Sequence, residues 1–149
     1  MRFWDTSAIV PLLLEEHNSQ LCRSWLAEDR EVMVWFFSQT ESISAIRRKC
    51  RIGELDDASA DVAVERLRLL SDAWTEIEGW YRVRERAHRL LTLHDLRAAD
   101  ALQLAAALVA SQERPHLLSF VCLDQRLSTA ARREGFRVFS DASGIPARK

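Results

Sequence analysis

Glycine is scarce in this chain, four residues in 149, and none stands in the turn after the first apolar stretch. That absence excludes the glycine-rich phosphate turn of a dinucleotide enzyme. Cysteine is scarce too. Cys22, Cys50 and Cys122 are odd in number, far apart and set among apolar or helical residues. They argue against a disulfide framework or a zinc site and read as reduced thiols in a cytoplasmic protein. No apolar run is long enough to span a membrane. The one near the N-terminus, Ala8 to Leu14, is interrupted by Pro11 and preceded by Asp5, so it has neither the basic flank nor the length of a signal peptide. Net charge is missing as well, with a formal value of −1, which denies the chain the broadly basic footprint of a strong nonspecific nucleic-acid binder. Any such affinity must be local. Lysine is limited to Lys49 and Lys149, and every other basic residue is an arginine, whose planar fork suits phosphate. Coding bias would enrich arginine equally.

What is present is helical periodicity broken by short apolar runs, the alternation of β–α units around a parallel sheet. Strands are expected near Arg2 to Asp5, Val32 to Phe36, Trp74 to Ile77, Ser119 to Leu123 and Arg137 to Phe139. The spacing predicts a first helix after Thr6-Ser7 that ends near His17-Asn18, with Pro11 early in it, and a second from Ser19 to Ala27. Gly53 closes a third. Asp56 to Leu70 carries an apolar stripe of Ala60, Ala63, Val64, Leu67 and Leu70, and Trp80 to Leu91 carries one of Val83, Ala87, Leu90 and Leu91. Ala98 to Val109 is apolar almost all round, which implies burial against the sheet. No repeat or second domain is evident. A single domain of this length buries roughly two-thirds of its unfolded surface.

Two of the apolar stretches end in an aspartate just before helix-starting residues: Phe3-Trp4-Asp5-Thr6-Ser7 and Phe120-Val121-Cys122-Leu123-Asp124-Gln125. In open parallel sheets the ligand crevice lies beyond the carboxyl ends of the strands, so both acids point to it. Glu41 follows the second strand, and Asp100 lies near the start of the alanine-rich helix. All four map to one sheet edge if the strands are parallel and neighbouring. Each has an ordinary structural alternative. Asp5 and Asp124 suit N-caps, Ser38-Gln39-Thr40-Glu41 fits a capping box, and Asp100 complements a helix dipole.

As a set the four carboxylates repel one another, and a cation between them removes the conflict. Hard oxygen ligands without a histidine or cysteine cluster point to Mg²⁺ or Mn²⁺ rather than zinc. The chemistry that follows is metal-assisted hydrolysis of a phosphate ester. Thr6 and Ser7 sit where a hydroxyl can orient a metal-bound water or a carboxylate, with helix capping the preferred role for Ser7. Arg47, Arg48, Lys49 and Arg51 form a basic cluster on the helix that begins with Glu41, either along the path of a polyanion or simply solvated. Arg97, three residues before Asp100, can pair with it or touch phosphate. His94 has no evident partner and reads as a loop residue.

These residues resemble a family. Asp5-Thr6-Ser7-Ala8 at the start, Glu41 after the second strand, Leu96-Arg97-Ala98-Ala99-Asp100-Ala101-Leu102-Gln103-Leu104-Ala105, and Leu123-Asp124-Gln125-Arg126-Leu127 followed by Ala130-Ala131 and Gly135 are similar in order and spacing to PIN-domain proteins, specifically the VapC toxin branch. The resemblance covers essentially the whole chain, and the block around Asp100 is its most specific part. It implies a PIN-like three-layer α/β/α sandwich around a central parallel sheet of about five strands. It also implies a Mg²⁺- or Mn²⁺-dependent endoribonuclease whose acids are Asp5, Glu41, Asp100 and Asp124. A homodimer, an RNA substrate and a small inhibitory antitoxin protein follow from the same resemblance. Arg47, Arg48 and Arg97 are the candidate RNA contacts. Trp80, Tyr81 or the Trp25 helix are candidates for the partner interface, although a tryptophan at helical spacing is more often core.

Two other functions fit the same residues: a PIN nuclease with a housekeeping role in RNA processing, and a catalytically silent binding module, against which the four retained acids speak. An aspartyl-nucleophile phosphatase requires a second aspartate two residues after Asp5, where this chain has Ser7.

Overall fold

Strands of three or four residues can hold a sheet together only if both faces are covered, and the strand residues here alternate accordingly. The computed structural model describes residues 1–141. Its strands are β1 (Arg2–Trp4), β2 (Val32–Trp35), β3 (Thr75–Ile77), β4 (Ser119–Val121) and β5 (Arg137–Phe139). The helices are α1 (Thr6–Leu13), α2 (Ser19–Glu28), α3 (Ser38–Arg51), α4 (Asp57–Ser71), α5 (Trp80–Leu93), α6 (Ala98–Ala110) and α7 (Gln125–Arg133). Successive side chains of a strand point to opposite faces. Phe3, Trp35 and Phe120 therefore enter one core with α5, α6 and α7, while Trp4, Val34 and Val121 enter another with α1 to α4. The result is the expected α/β/α sandwich.

The five strands are all parallel and ordered β3-β2-β1-β4-β5. The chain steps outward from β1 through β2 to β3, then returns to place β4 on the other side of β1. That reversal opens a crevice between the carboxyl ends of β1 and β4, the position where open α/β sheets bind ligands. Trp4 pairs with Val121 at this end of the sheet. The next residues on β1 and β4 lead directly to Asp5 and Asp124.

Two local features differ from the periodicity. The first helix stops at Leu13, several residues short of His17-Asn18. The Ser19 hydroxyl donates to the Leu14 carbonyl at 2.8 Å and accepts the Glu16 amide at 2.7 Å, so a side chain takes over backbone groups that a longer helix would have paired. Leu91 is exposed and only Val83, Ala87 and Leu90 of its helix are buried, because Leu91 lies about 100° around the axis from Leu90. Gly53 does close α3. It adopts φ +77°, and the Gly53 and Glu54 amides donate to the Cys50 and Lys49 carbonyls, the paired bonds of a left-handed helix stop.

Trp25 belongs to the core, with its ring edge-on to Phe139 at 5.9 Å. Trp80 and Tyr81 are exposed. Among the described residues the three cysteines are free, and no helix is long and apolar enough to cross a membrane.

Candidate active site

The Asp5 amide donates to the Val121 carbonyl of β4 at 2.9 Å, so the first acid is tied to the strand that leads to Asp124. Its carboxylate Oδ2 accepts the Ser7 amide at 2.9 Å and caps α1. The buried Cys122 thiol donates to the same oxygen at 3.6 Å. Asp124 caps α7 by accepting the Leu127 amide at 2.7 Å. Both aspartates therefore are helix caps, yet capping leaves most of a carboxylate's acceptor capacity open. Ser7 is not the cap that its place in the sequence suggests, because Asp5 takes that position and leaves the Ser7 hydroxyl free to bond elsewhere. Its hydroxyl accepts the Leu123 amide at 2.9 Å and the Asp124 amide at 3.3 Å, clamping the turn after β1 to the turn after β4.

Glu41 forms no capping box. Phe37 is the N-cap of α3 and carries no side-chain cap bond. Glu41 Oε2 instead accepts the Thr6 hydroxyl and the Gln103 side-chain amide, each at 2.8 Å, so Thr6 orients a carboxylate. Gln103 is 1 % exposed, and its Nε2 also lies 3.1 Å from Thr6 Oγ1 and 3.2 Å from Ser38 Oγ. Reading the sequence for acids passes over this residue. Its signal was an amide in an otherwise apolar run, three residues after Asp100 and so about one turn along the same helix.

Three of the acids, Asp5, Glu41 and Asp100, are held above the usual carboxylate range. Burial pushes the Asp5 carboxyl from 3.8 up to about 6; the Ser7 hydrogen bonds oppose this, and the Glu41 and Asp100 charges add to it. Glu41 is raised by burial and by Asp100, against the Gln103 and Thr6 hydrogen bonds. Asp100, in the first turn of α6, is raised by burial and by the Asp124 charge, while Arg97 and Arg126 pull it down. Because Gln103 gives the largest opposition to the rise at Glu41, Gln103→Leu is expected to raise the Glu41 pKa further. A titration followed by carboxyl-carbon NMR checks this; an unchanged or lower value contradicts it.

The basic cluster of α3 divides. Arg47 turns to α4 and pairs with Asp61 at 2.8 Å. Lys49 pairs with Glu16 at 2.7 Å and with Glu54 at 3.3 Å. Arg48 makes no ion pair among the described residues and lines a groove of about 590 Å³ with Phe37, Glu41, Ala99 and Leu102. Arg97 is the N-cap residue of α6, and its charge reaches Asp100. His94 has a partner after all: its Nε2 lies 2.6 Å from Glu134 Oε1. A larger cavity of about 730 Å³, between the end of α1 and α4, is lined by none of the four acids.

Among the described residues no three His, Cys, Asp or Glu side chains converge closely enough to hold a metal ion together. The candidate donors nevertheless have the chemistry of a site for a hard divalent cation. They are all oxygen, they include a carboxyl at Asp5 raised partly by neighbouring negative charge, and Mg²⁺ characteristically takes only one or two carboxylates while keeping several waters.

A parallel sheet with acids around its reversal point defines the class: an α/β protein whose candidate site lies at the carboxyl edge, beside β1. The PIN domain model matches residues 2–133, and the chain belongs to that family. Among solved structures it is similar to FitAcB from Neisseria gonorrhoeae, with a TM-score of 0.64 and 20% identity over 93% of this chain and 96% of that one. It is similar to PAE2754 from Pyrobaculum aerophilum, with a TM-score of 0.63 and 17% identity over 95% and 84% of the two chains. It also resembles FitAB bound to the IR36 DNA fragment, with a TM-score of 0.60 and 18% identity over 94% of each chain. No curated protein sequence matches the chain.

Proposed function

We propose that this chain is a Mg²⁺- or Mn²⁺-dependent endoribonuclease and the toxin of a toxin–antitoxin pair. PIN domains are typically nucleases. The observation that carries the reading is the bonded arrangement at the crevice between β1 and β4: Ser7 ties the Asp5 turn to the turn that carries Asp124, and Glu41 is bonded both by Thr6, next to Asp5, and by Gln103, one turn along α6 from Asp100. Asp5 and Asp100 would hold the ion, with Glu41 and Asp124 completing the acidic shell. When bound, such an ion activates water and stabilises the in-line transition state of phosphodiester hydrolysis.

The protein's own groups do the positioning. Thr6 and Gln103 fix Glu41 by hydrogen bonds, and hydrogen bonding to the ionised form favours a carboxylate able to bind a cation. Ser7 and Cys122 fix Asp5 against the turn that carries Asp124. Arg48 and Arg97 flank the acids on α3 and at the start of α6, where they can take backbone phosphates of an RNA strand. Exposed Phe37, Trp80 and Tyr81 offer apolar area for an antitoxin or for a second copy in a homodimer, and a cytoplasmic setting keeps the thiols reduced.

The test is cleavage of RNA with Mg²⁺ or Mn²⁺. Wild type is expected to cut, while Asp100→Ala, or wild type with chelator, loses at least about 10²-fold. Equal cleavage in all samples removes the metal-site reading. For the toxin role, expression is expected to arrest growth, and the protein encoded next to it is expected to relieve the arrest. Harmless expression of an active enzyme would assign the chain to housekeeping RNA processing instead.

A further inference from the structure

On α7, Arg126, Thr129, Ala130 and Arg133 fall at i, i+3, i+4 and i+7, one face of the helix. Together with His94, Asp95 and Leu96, in the connection between α5 and α6, they line a notch of about 240 Å³. A water occupies about 30 Å³ of liquid, so the notch has room for a phosphate group and part of its hydration.

Its charge is left unbalanced by the pairing around it. Glu134, the acid next to Arg133, is engaged by His94 at 2.6 Å and by Arg86 at 3.1 Å. Arg133 makes no ion pair among the described residues. Arg126 has only Asp95, at 4.0 Å, and the Asp95 side chain is 97% exposed, a contact worth little in water. The notch also adjoins the acids. Asp124 is the N-cap of α7, two residues before Arg126, and both Arg126 and Arg97 act electrostatically on Asp100.

We propose that this notch is a phosphate subsite, in which Arg126 and Arg133 hold a backbone phosphate of the nucleic-acid strand beside the one placed at the acids. The inference rests on the nuclease reading. It adds a direction to it: the strand leaves the acids over the start of α7, on the side away from Arg48. It also adds a length requirement, since a substrate too short to reach the notch loses these contacts.

The experiment measures binding of a labelled single-stranded RNA oligonucleotide in chelator, where nothing is cut, across a range of salt. Replacing Arg126 and Arg133 together by Ala is expected to lower the slope of log affinity against log salt by about 0.7, the value for one phosphate contact on a single strand, and Arg126→Ala and Arg133→Ala are each expected to give part of that fall. Arg30→Ala, which removes an arginine just before β2 and so at the opposite edge of the sheet, is expected to leave the slope unchanged. Slopes unaltered in the α7 variants, or altered equally by Arg30→Ala, overturn the subsite while leaving cleavage and the ribonuclease reading intact. Absence of both binding and cleavage in wild type overturns both. A second arm titrates inorganic phosphate alone, followed through the arginine side-chain NMR signals. Saturation at low millimolar phosphate, without any change in RNA slope, would make the notch a site for free phosphate and overturn its role in strand binding.

Discussion

Asp5→Asn is expected to melt at higher temperature than wild type in metal-free buffer at pH 8, and to lose most of its RNA cleavage. The stability half follows from the Asp5 pKa. It lies at 3.8 ordinarily and at about 6 in the folded chain, so the fold disfavours the ionised form. Such a group's favourable contribution is complete below about pH 4 and is lost as pH rises through 6, which leaves the metal-free protein weaker above that value. A shift of this size corresponds to about 2–3 kcal/mol. Asparagine removes the charge, while its side-chain oxygen still accepts the Ser7 amide and keeps the cap on α1. Below pH 4 the two proteins should therefore be similar in stability.

The activity half follows from the same charge. Removing one of the carboxylates proposed to hold the ion is expected to cost about 10²–10³-fold in cleavage. Mg²⁺ or Mn²⁺ should also raise the melting temperature of wild type, since a ligand that binds only the folded state stabilises it, and should do so much less for Asp5→Asn. Thermal melts at pH 3.5 and pH 8, with and without ion, check each arm. A destabilised variant at pH 8 would mean that the Asp5 carboxylate is stabilising as it stands, and full cleavage would mean that it holds no ion.

Phe120→Ala is expected to destabilise the fold by about 3–5 kcal/mol. Phe120 is fully buried on β4, stacked on Phe3 at 5.4 Å and tilted against Phe136 at 5.5 Å. Truncation removes the contact that joins β1 to β4 on the face covered by α5 to α7. A domain has only about 5–15 kcal/mol in total, so this one side chain accounts for much of the margin. Urea unfolding should show a lower midpoint at unchanged slope, with a melting temperature down by about 10 °C or more. A loss under about 1 kcal/mol would mean that the site repacks. Because β1 and β4 also carry Asp5 and Asp124 at their ends, any cleavage that survives at low temperature should fall off on heating together with the fold.

The acid pairs show which kind of information each level carries. Apolar runs of strand composition, each followed by a helix start, locate Asp5 and Asp124 at strand ends because both signals are local and periodic. The same local logic misreads Glu41. Ser38-Gln39-Thr40-Glu41 satisfies every local condition of a capping box, but the groups that bond Glu41 lie 35 and 62 residues away, at Thr6 and Gln103. Arg47 and Arg48 are adjacent in the chain and about 100° apart on the helix. One reaches Asp61 on α4, and the other lines the groove beside Glu41. Composition cannot separate two neighbouring arginines. The position of α4 does.

Sequence alone determined the number of strands, where each falls, and that acids stand at the carboxyl ends of two of them, since hydrophobic period and helix-start chemistry act over a few residues. It could not determine that β4 returns to lie beside β1. That order arises because β1, buried on both faces, needs a hydrogen-bonding neighbour at each edge, and the Trp4–Val121 pairing supplies the second. Only this arrangement makes two distant aspartates face one crevice. It also brings Arg126 of α7 together with His94, from the connection between α5 and α6, at one notch beside it.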